Sequence, residues 1–385
     1  MNRVRRLLFL TSTIVFLDVA FFAAITPLLP HYVDDLGLSK AQAGILTASY
    51  AVGTLLASLP AGYVAARFGP RRTVIGGLTL LTAASCAFGF ADQVLLLDGA
   101  RFMQGIASAL TWSGAFTWLV AGSPAERRGA VIGTALGMAI AGSLLGPPLG
   151  ALATAIGTEP VFSTLAGLTL VLAAAAARIP DLTRHQDIPL RDVAATFTQR
   201  PLLNATVLVA VPSLLFGAVA VLVPLRIDEL GGGAALIAAG FTLGSALEAV
   251  LAPLIGRYTD RAGRLGPYVI GMVACAAAIL VLASGESRVV VFLAVLGTSL
   301  GAGLCFVPAT ALLSDAADEA GLHQAYAAAL LNVAWASGQV SGSIGAGGAA
   351  GAFGNAAPCI AIAMLLLATA LVARRAAPRL APRPL

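Results

Sequence analysis

Three charged residues stand inside long apolar stretches of this 385-residue chain: Asp18, Arg101 and Glu248. A charge at the depth of a bilayer costs roughly 2.5 to 3.5 kcal/mol on insertion scales, so one that is retained there points to the handling of a solute or an ion. A carboxylate can take up and release a proton as its surroundings change. A guanidinium cannot, which leaves Arg101 as a counter-charge. Asp98, near the outer end of its stretch, stands three residues before Arg101, a spacing at which helical side chains pair. The plainer alternative for Asp18 and Arg101 is a structural pair. For Glu248, substrate contact, proton carriage and structural hydrogen bonding all remain open.

These readings hold only if the surrounding stretches cross a membrane. Hydrophobic residues make up 58% of the chain and charged residues 11%, less than half the charged share usual in a soluble domain. The apolar residues gather into runs at 7–30, 41–65, 73–91, 94–121, 130–155, 160–179, 203–225, 234–256, 267–284, 288–313, 323–347 and 355–373. These are lengths that cross a hydrocarbon core about 30 Å thick, and without water at that depth the backbone must be helical. An even number of spans returns both ends to one side. With the termini inside, the inner segments collect Arg3, Arg5, Arg6, Arg127, Arg128, Arg178 and most other arginines, while the outer ones hold Lys40, Arg226 and Arg288. That asymmetry puts both termini in the cytoplasm, and the expected location is the plasma membrane, or cell inner membrane. It also accounts for the net charge of +5 without nucleic acid.

The first run follows basic residues as a secretory leader does, but its length and Asp18 mark it as a retained span. The basic tail from Arg374 serves as a topological stop. Cys86, Cys275, Cys305 and Cys359 lie in apolar runs without a CxxC pair and read as core residues. His31, His185 and His323 lie near span ends or in loops without metal-ligand spacing, so neither a metal nor an enzyme site is expected. Lys40, between Ser39 and Ala41, is the only lysine. A phosphate-binding loop of the ATPase type needs glycine followed by lysine and serine or threonine, so that energy source is not encoded. No cofactor is implied.

The longest polar connection divides the chain into a bundle at 1–179, a cytoplasmic loop at 180–201, a second bundle at 202–373 and a tail at 374–385. The halves echo each other: "PAGYVAARFGPRR" from Pro60 and "PLIGRYTDRAGR" from Pro253 begin alike. Gly105, Gly142 and Gly146 match Gly301, Gly338 and Gly342 at one constant interval. Two repeated bundles suit rocking about a site near the midplane. Within "GTALGMAIAGSLLGPPLGAL", Gly142, Gly146 and Gly150 form a stripe that lets helices approach closely. Gly133 and Gly137 form another stripe on nearly the opposite face. The Pro147-Pro148 step should kink that span.

The layout resembles the major facilitator superfamily over nearly the whole chain. Gly62, Arg67, Gly69, Arg71 and Arg72 resemble its loop signature, with Ala66 where an aspartate is expected. Gly256, Asp260, Arg261, Gly263 and Arg264 form a more complete second copy. The resemblance implies an all-α integral membrane protein, twelve transmembrane helices in two pseudo-symmetric six-helix bundles, with these loops latching the cytoplasmic side. Gly133, Gly142, Gly146, Pro147 and Gly150 resemble the fifth-helix motif of the family's antiporters, with Ala151 replacing its final glycine. "LDVAFFAAITPLLPHY" resembles the first helix of twelve-span drug:proton antiporters, and Arg101, Gln104 and Gly105 resemble the fourth-helix motif.

In that family the fifth and eighth helices meet across the halves, which would set Glu248, on one face with Gly240 and Gly244, in or beside a glycine-lined seam. The second and eleventh spans would meet similarly through Gly53 and Ala57 and through Gly338, Gly342 and Ala346. Tyr50, Gln104, Trp112, Phe116, Phe216, Phe241, Asn332 and Trp335 are candidate cavity contacts.

The expected protein is a monomeric secondary transporter that exports small amphipathic or drug-like compounds in exchange for protons, as multidrug efflux proteins do. A proton from outside would neutralise Asp18 or Glu248, compete with substrate and bias the next conformational step. The transport alternative is sugar or metabolite efflux, with or without proton coupling. A receptor or scaffold on the same bundle would bind without cycling. The expected partners are a small solute, protons and the bilayer.

Overall fold

Pro27 cannot donate a hydrogen bond to Ala23, one turn earlier, and the first span breaks beside that gap. In the computed structural model, which describes residues 3–123, 128–180, 199–322 and 324–380, the span consists of α1 (Arg3–Ala23) and α2 (Ile25–Leu36). The first bundle continues with α3 (Lys40–Phe68), α4 (Pro70–Gly89), α5 (Val94–Ala121), α6 (Arg128–Ile156) and α7 (Thr158–Ala177). The second contains α8 (Arg200–Glu229), α9 (Ala234–Ala262), α10 (Leu265–Ala283), α11 (Arg288–Glu319), α12 (Gln324–Phe353) and α13 (Ala356–Leu380). With α1 and α2 as one span, this gives twelve helical spans among the described residues, in two six-helix bundles. The kink expected at Pro147-Pro148 does not interrupt α6, which continues through both prolines.

Ten spans among the described residues are long and apolar enough to cross a membrane, the first running unbroken in hydropathy from Arg5 to Leu36. Helices α5 and α12, with 28 and 30 residues, have the length but not the apolarity. Asp98, Arg101 and Gln104 dilute the first of these, and Asn332 and Gln339 the second. Most of the central connection with His185, His323, and the last residues of the basic tail lie outside the described residues, as does the side chain of Asp260.

Sharp turns join the helices. Ser39 and Gln42 form a reciprocal capping box at the start of α3, satisfying backbone donors that a helix start leaves open. Gly69 and Gly263, in the two copies of the loop signature, hold φ of 90° and 78°, a region that glycine enters without steric cost.

The glycine matches also do equivalent work in the two halves. A Cβ at Gly142 or Gly146 would collide with α1 around Phe16, Ala20 and Ala23. One at Gly338 or Gly342 would collide with the backbone of α8 at Ala210 and Leu214. Missing side chains thus bring backbones together where no water drives association.

The halves meet along α3 and α12 and along α6 and α9, and also at the end farther from the two termini, the far end. There α2 packs against α8 and α9, whereas α1 makes no comparable contact with the second bundle. Val221 and Leu225 of α8 join the apolar core that Leu28, Leu29 and Leu46 build in the first half.

Candidate functional site

The break in the first span positions the first cluster. Near the end of α1, the Phe21 and Phe22 carbonyls need partners from outside the helix. Arg101 supplies them: Nη1 donates to Phe21 O at 3.2 Å and Nη2 to Phe22 O at 3.3 Å. Nη1 also reaches Gln104 Oε1 at 3.1 Å, and Gln104 Nε2 donates to Ser85 Oγ at 3.2 Å. A cation is well placed at a helix C-terminus, where the backbone dipole is negative. The Arg101 guanidinium also lies 4.9 Å from the centre of the Tyr50 ring.

Tyr50 connects this cluster to the acid. Its hydroxyl donates to Asp18 Oδ2 at 3.1 Å, alongside Ser108 Oγ at 2.7 Å and Trp112 Nε1 at 2.7 Å. All three donors meet one oxygen. Asp18 Oδ1 is buried without a hydrogen-bond partner, and the residue is 1% exposed.

Both expected pairings of Arg101 therefore need correction. Asp98 accepts instead from Ser49 Oγ at 3.2 Å, and Arg101 has turned to the α1 carbonyls. Asp18 and Arg101 form no direct ion pair and communicate through Tyr50.

Between the bundles lies a cavity of about 270 Å³. Five aromatic residues, Phe22, Phe216, Phe241, Phe306 and Trp335, share its lining with Glu248 and Gln339. Glu248 has no hydrogen bond or ion pair among the described residues. Of the expected cavity contacts, Phe216, Phe241 and Trp335 stand in the lining, while the other five lie off it. Tyr50 and Gln104 are buried in the Asp18 and Arg101 networks, Trp112 stacks on Phe116 with centroids 5.4 Å apart, and Asn332 is not on the wall.

Phe22, Phe306 and Gln339 were absent from the sequence-based set. Phe22 stands one helical turn after Asp18, a spacing that could have found it, as Gln339 stands one turn after Trp335. Phe22 packs 5.1 Å from Tyr50 and 5.2 Å from Trp335 of the other bundle, between the acid's network and the cavity.

The glycine-lined seam is not present. Helices α6 and α9 do meet, through Thr242 Oγ1 donating to Leu144 O at 3.3 Å. However, Gly142, Gly146 and Gly150 face α1 and α2, and Gly240 and Gly244 face Phe292, Val295 and Ser299 of α11. Each stripe is used within its own bundle. Gly133 and Gly137 have open space beside them. Helices α3 and α12 also meet, but through Gly44 and Gly347. Gly53 instead packs on α5, and Gly338 and Gly342 on α8.

Among the described residues, Arg71 and Arg264 of the loop signatures bind within their own halves. Arg71 donates to Ala177 O at the end of α7, and Arg264 pairs with Asp315 of α11. Arg67 contacts Tyr63 on the preceding turn, while Arg72 and Arg261 are exposed. At the far end, the contact does cross between bundles. Lys40 Nζ lies 2.5 Å from Glu229 Oε1 and 2.8 Å from Asn355 Oδ1. Arg226 and Asn355 both donate to Glu229 Oε2 at 3.0 Å.

Two six-helix bundles around a central cavity are the architecture of a multi-pass membrane transporter rather than an enzyme. The chain matches the sequence model of the Major Facilitator Superfamily over residues 8–343, with a second match over 207–385, and it belongs to that family. It is 34% identical over 155 residues to an uncharacterized MFS-type transporter of Schizosaccharomyces pombe, covering 38% of this chain and 35% of the relative. It is 25% identical over 150 residues to the quinolone resistance protein NorA of Staphylococcus aureus, covering 39% and 38%. The matched segment thus spans only about a third of these relatives.

Among solved structures, a POT family transporter in complex with a thioalcohol-conjugated peptide superposes with a TM-score of 0.80 at 14% identity, covering 98% of this chain and 96% of the other. A D-xylose-proton symporter gives 0.77 at 16% identity, covering 97% of each. These likenesses concern the fold.

Proposed function

We propose that the protein is a proton-coupled antiporter that exports small amphipathic or drug-like compounds by alternating access. The observation carrying this reading is the contrast between two embedded carboxyl groups. Asp18 gathers three donors on Oδ2 and leaves Oδ1 buried and bare, while Glu248 lines the cavity without a partner among the described residues. Ionised Asp18 draws on Tyr50, Ser108 and Trp112. Protonation at Oδ1 removes a charge that the low-dielectric interior holds at a cost. A proton at Asp18 and a solute beside Glu248 then occupy different places, with Phe22 between them. The far end is the outer face if the termini lie inside, as the arginine distribution supports.

The fifth-span motif and the likeness to NorA support export. Everted vesicles with an acid interior and a pH dye test the reading. Compounds that are substrates should release protons with the wild type, and Asp18→Asn should abolish that release while leaving solute binding. Retained proton release in Asp18→Asn removes that residue as the carrier. Gradient-independent counterflow without any proton release would replace antiport by facilitated efflux.

A further inference from the structure

We propose that the central cavity binds an organic monocation bearing a single aromatic group, with the positive centre against Glu248 and the ring among Phe22, Phe216, Phe241, Phe306 and Trp335. This rests on the reading of that cavity as the solute site and adds the charge and size of the solute.

Charge comes first. Among the described residues, Glu248 is the one ionisable residue in the lining, and neither lysine, arginine nor histidine shares the wall. No described residue bonds to its carboxylate. Its Cγ lies only 3.6 Å from where a Cβ at Gly303 would stand, so the stem rests on the bare backbone of α11. A carboxylate in such surroundings keeps its charge when a cation comes to it. An anion would meet repulsion, and a dication would bring a second charge for which the wall holds no counter-ion.

The rings supply the second argument. Five aromatic residues line the same space, and the faces of such rings attract cations as well as apolar groups. Size supplies the third. A volume of about 270 Å³ falls just below the roughly 300 Å³ at which pockets for drug-sized ligands begin. One ring and a short chain fit that limit. Asp18 takes no part in recognition, because it is buried behind Phe22 with its own donors.

The test compares equilibrium binding of phenethyltrimethylammonium, whose charge is independent of pH, with that of its neutral analogue, in which a tertiary carbinol replaces the ammonium. Purified wild type should bind the cation about tenfold or more tightly than the carbinol, the scale of a desolvated cation held by rings and a carboxylate. Glu248→Gln should lose the preference and keep its affinity for the carbinol, whereas Asp18→Asn should keep both. Glu248→Asp should retain part of the preference, which guards against a fold defect in the amide variant.

Equal affinities in the wild type, a preference that survives Glu248→Gln, or binding of neither compound would overturn the proposal. These measurements use no gradient. A cation preference without compound-driven proton release would therefore refute the antiport reading alone.

Discussion

Arg101 was legible in the sequence as an embedded charge, but its work was not, because its partners are backbone atoms exposed by a break several helices away in sequence. The planar fork spans Phe21 O, Phe22 O and Gln104 Oε1 together. A lysine keeps the charge and loses that geometry. Arg101→Lys should therefore leave a buried carbonyl or the Gln104 amide unpaired, destabilising the protein by about 1 to 3 kcal/mol. Thermal unfolding in detergent would check this, and an unchanged midpoint would mean that the α1 carbonyls find other donors.

The acid shows a similar division. Asp18 could be singled out from its apolar neighbours, whereas the convergence of Tyr50, Ser108 and Trp112 on one oxygen depends on how α3 and α5 pack against α1. Tyr50 and Trp112 were expected in the cavity as aromatic bulk. Their polar atoms decided otherwise, since a buried acid binds available donors more strongly than an apolar space can reward them.

At the scale of the helix, glycine spacing identified the close approaches at Gly142, Gly146 and Gly150 but not their partner, and the Gly133 and Gly137 stripe makes none. Periodicity defines a face; it does not say which neighbour the face meets. Within α6 the difference is measurable. Gly142→Ala and Gly150→Ala would drive a Cβ into α1 or the residue that follows it, while Gly133→Ala and Gly137→Ala meet nothing within 4 Å. The first pair should destabilise by about 1 to 3 kcal/mol, as overpacking does. The second should be neutral or stabilising by up to about 1 kcal/mol, since alanine is the better helix former. Denaturation midpoints of the four variants provide the comparison, and a uniform response would show that intrinsic helix propensity, rather than contact with α1, dominates. The same rule carries to the other half, where Gly338 and Gly342 hold α12 against α8. The repeat was readable because both halves solve one packing problem with the same residue type at the same interval.

At the scale of the molecule, the two bundles are joined at the far end by an apolar contact and a small ionic network, and alternating access requires both to part. Lys40 is the first bundle's contribution to that network, bound to Glu229 and Asn355 of the second. Sequence reading used Lys40 only to exclude an ATPase and to count charges, because nothing local connects it to residues so distant in the chain. The Lys40–Glu229 pair is about one-third exposed on either side, so its contribution is discounted to no more than about 1 kcal/mol. A loss on that scale changes a two-state ratio by roughly fivefold. Lys40→Met should accordingly raise the population open at the far end by up to that factor, and Lys40→Glu should raise it further by placing like charges together. Spin labels at exposed Asp92 and Glu286, on far-end connections of the two bundles, would report the change as growth of a longer distance. An unchanged distribution in Lys40→Glu would mean that Val221 and Leu225, seated in the first bundle's core, hold the closure without the ions. The difference matters for coupling: an ionic closure would respond to salt, whereas an apolar one would respond chiefly to what fills the cavity beneath it.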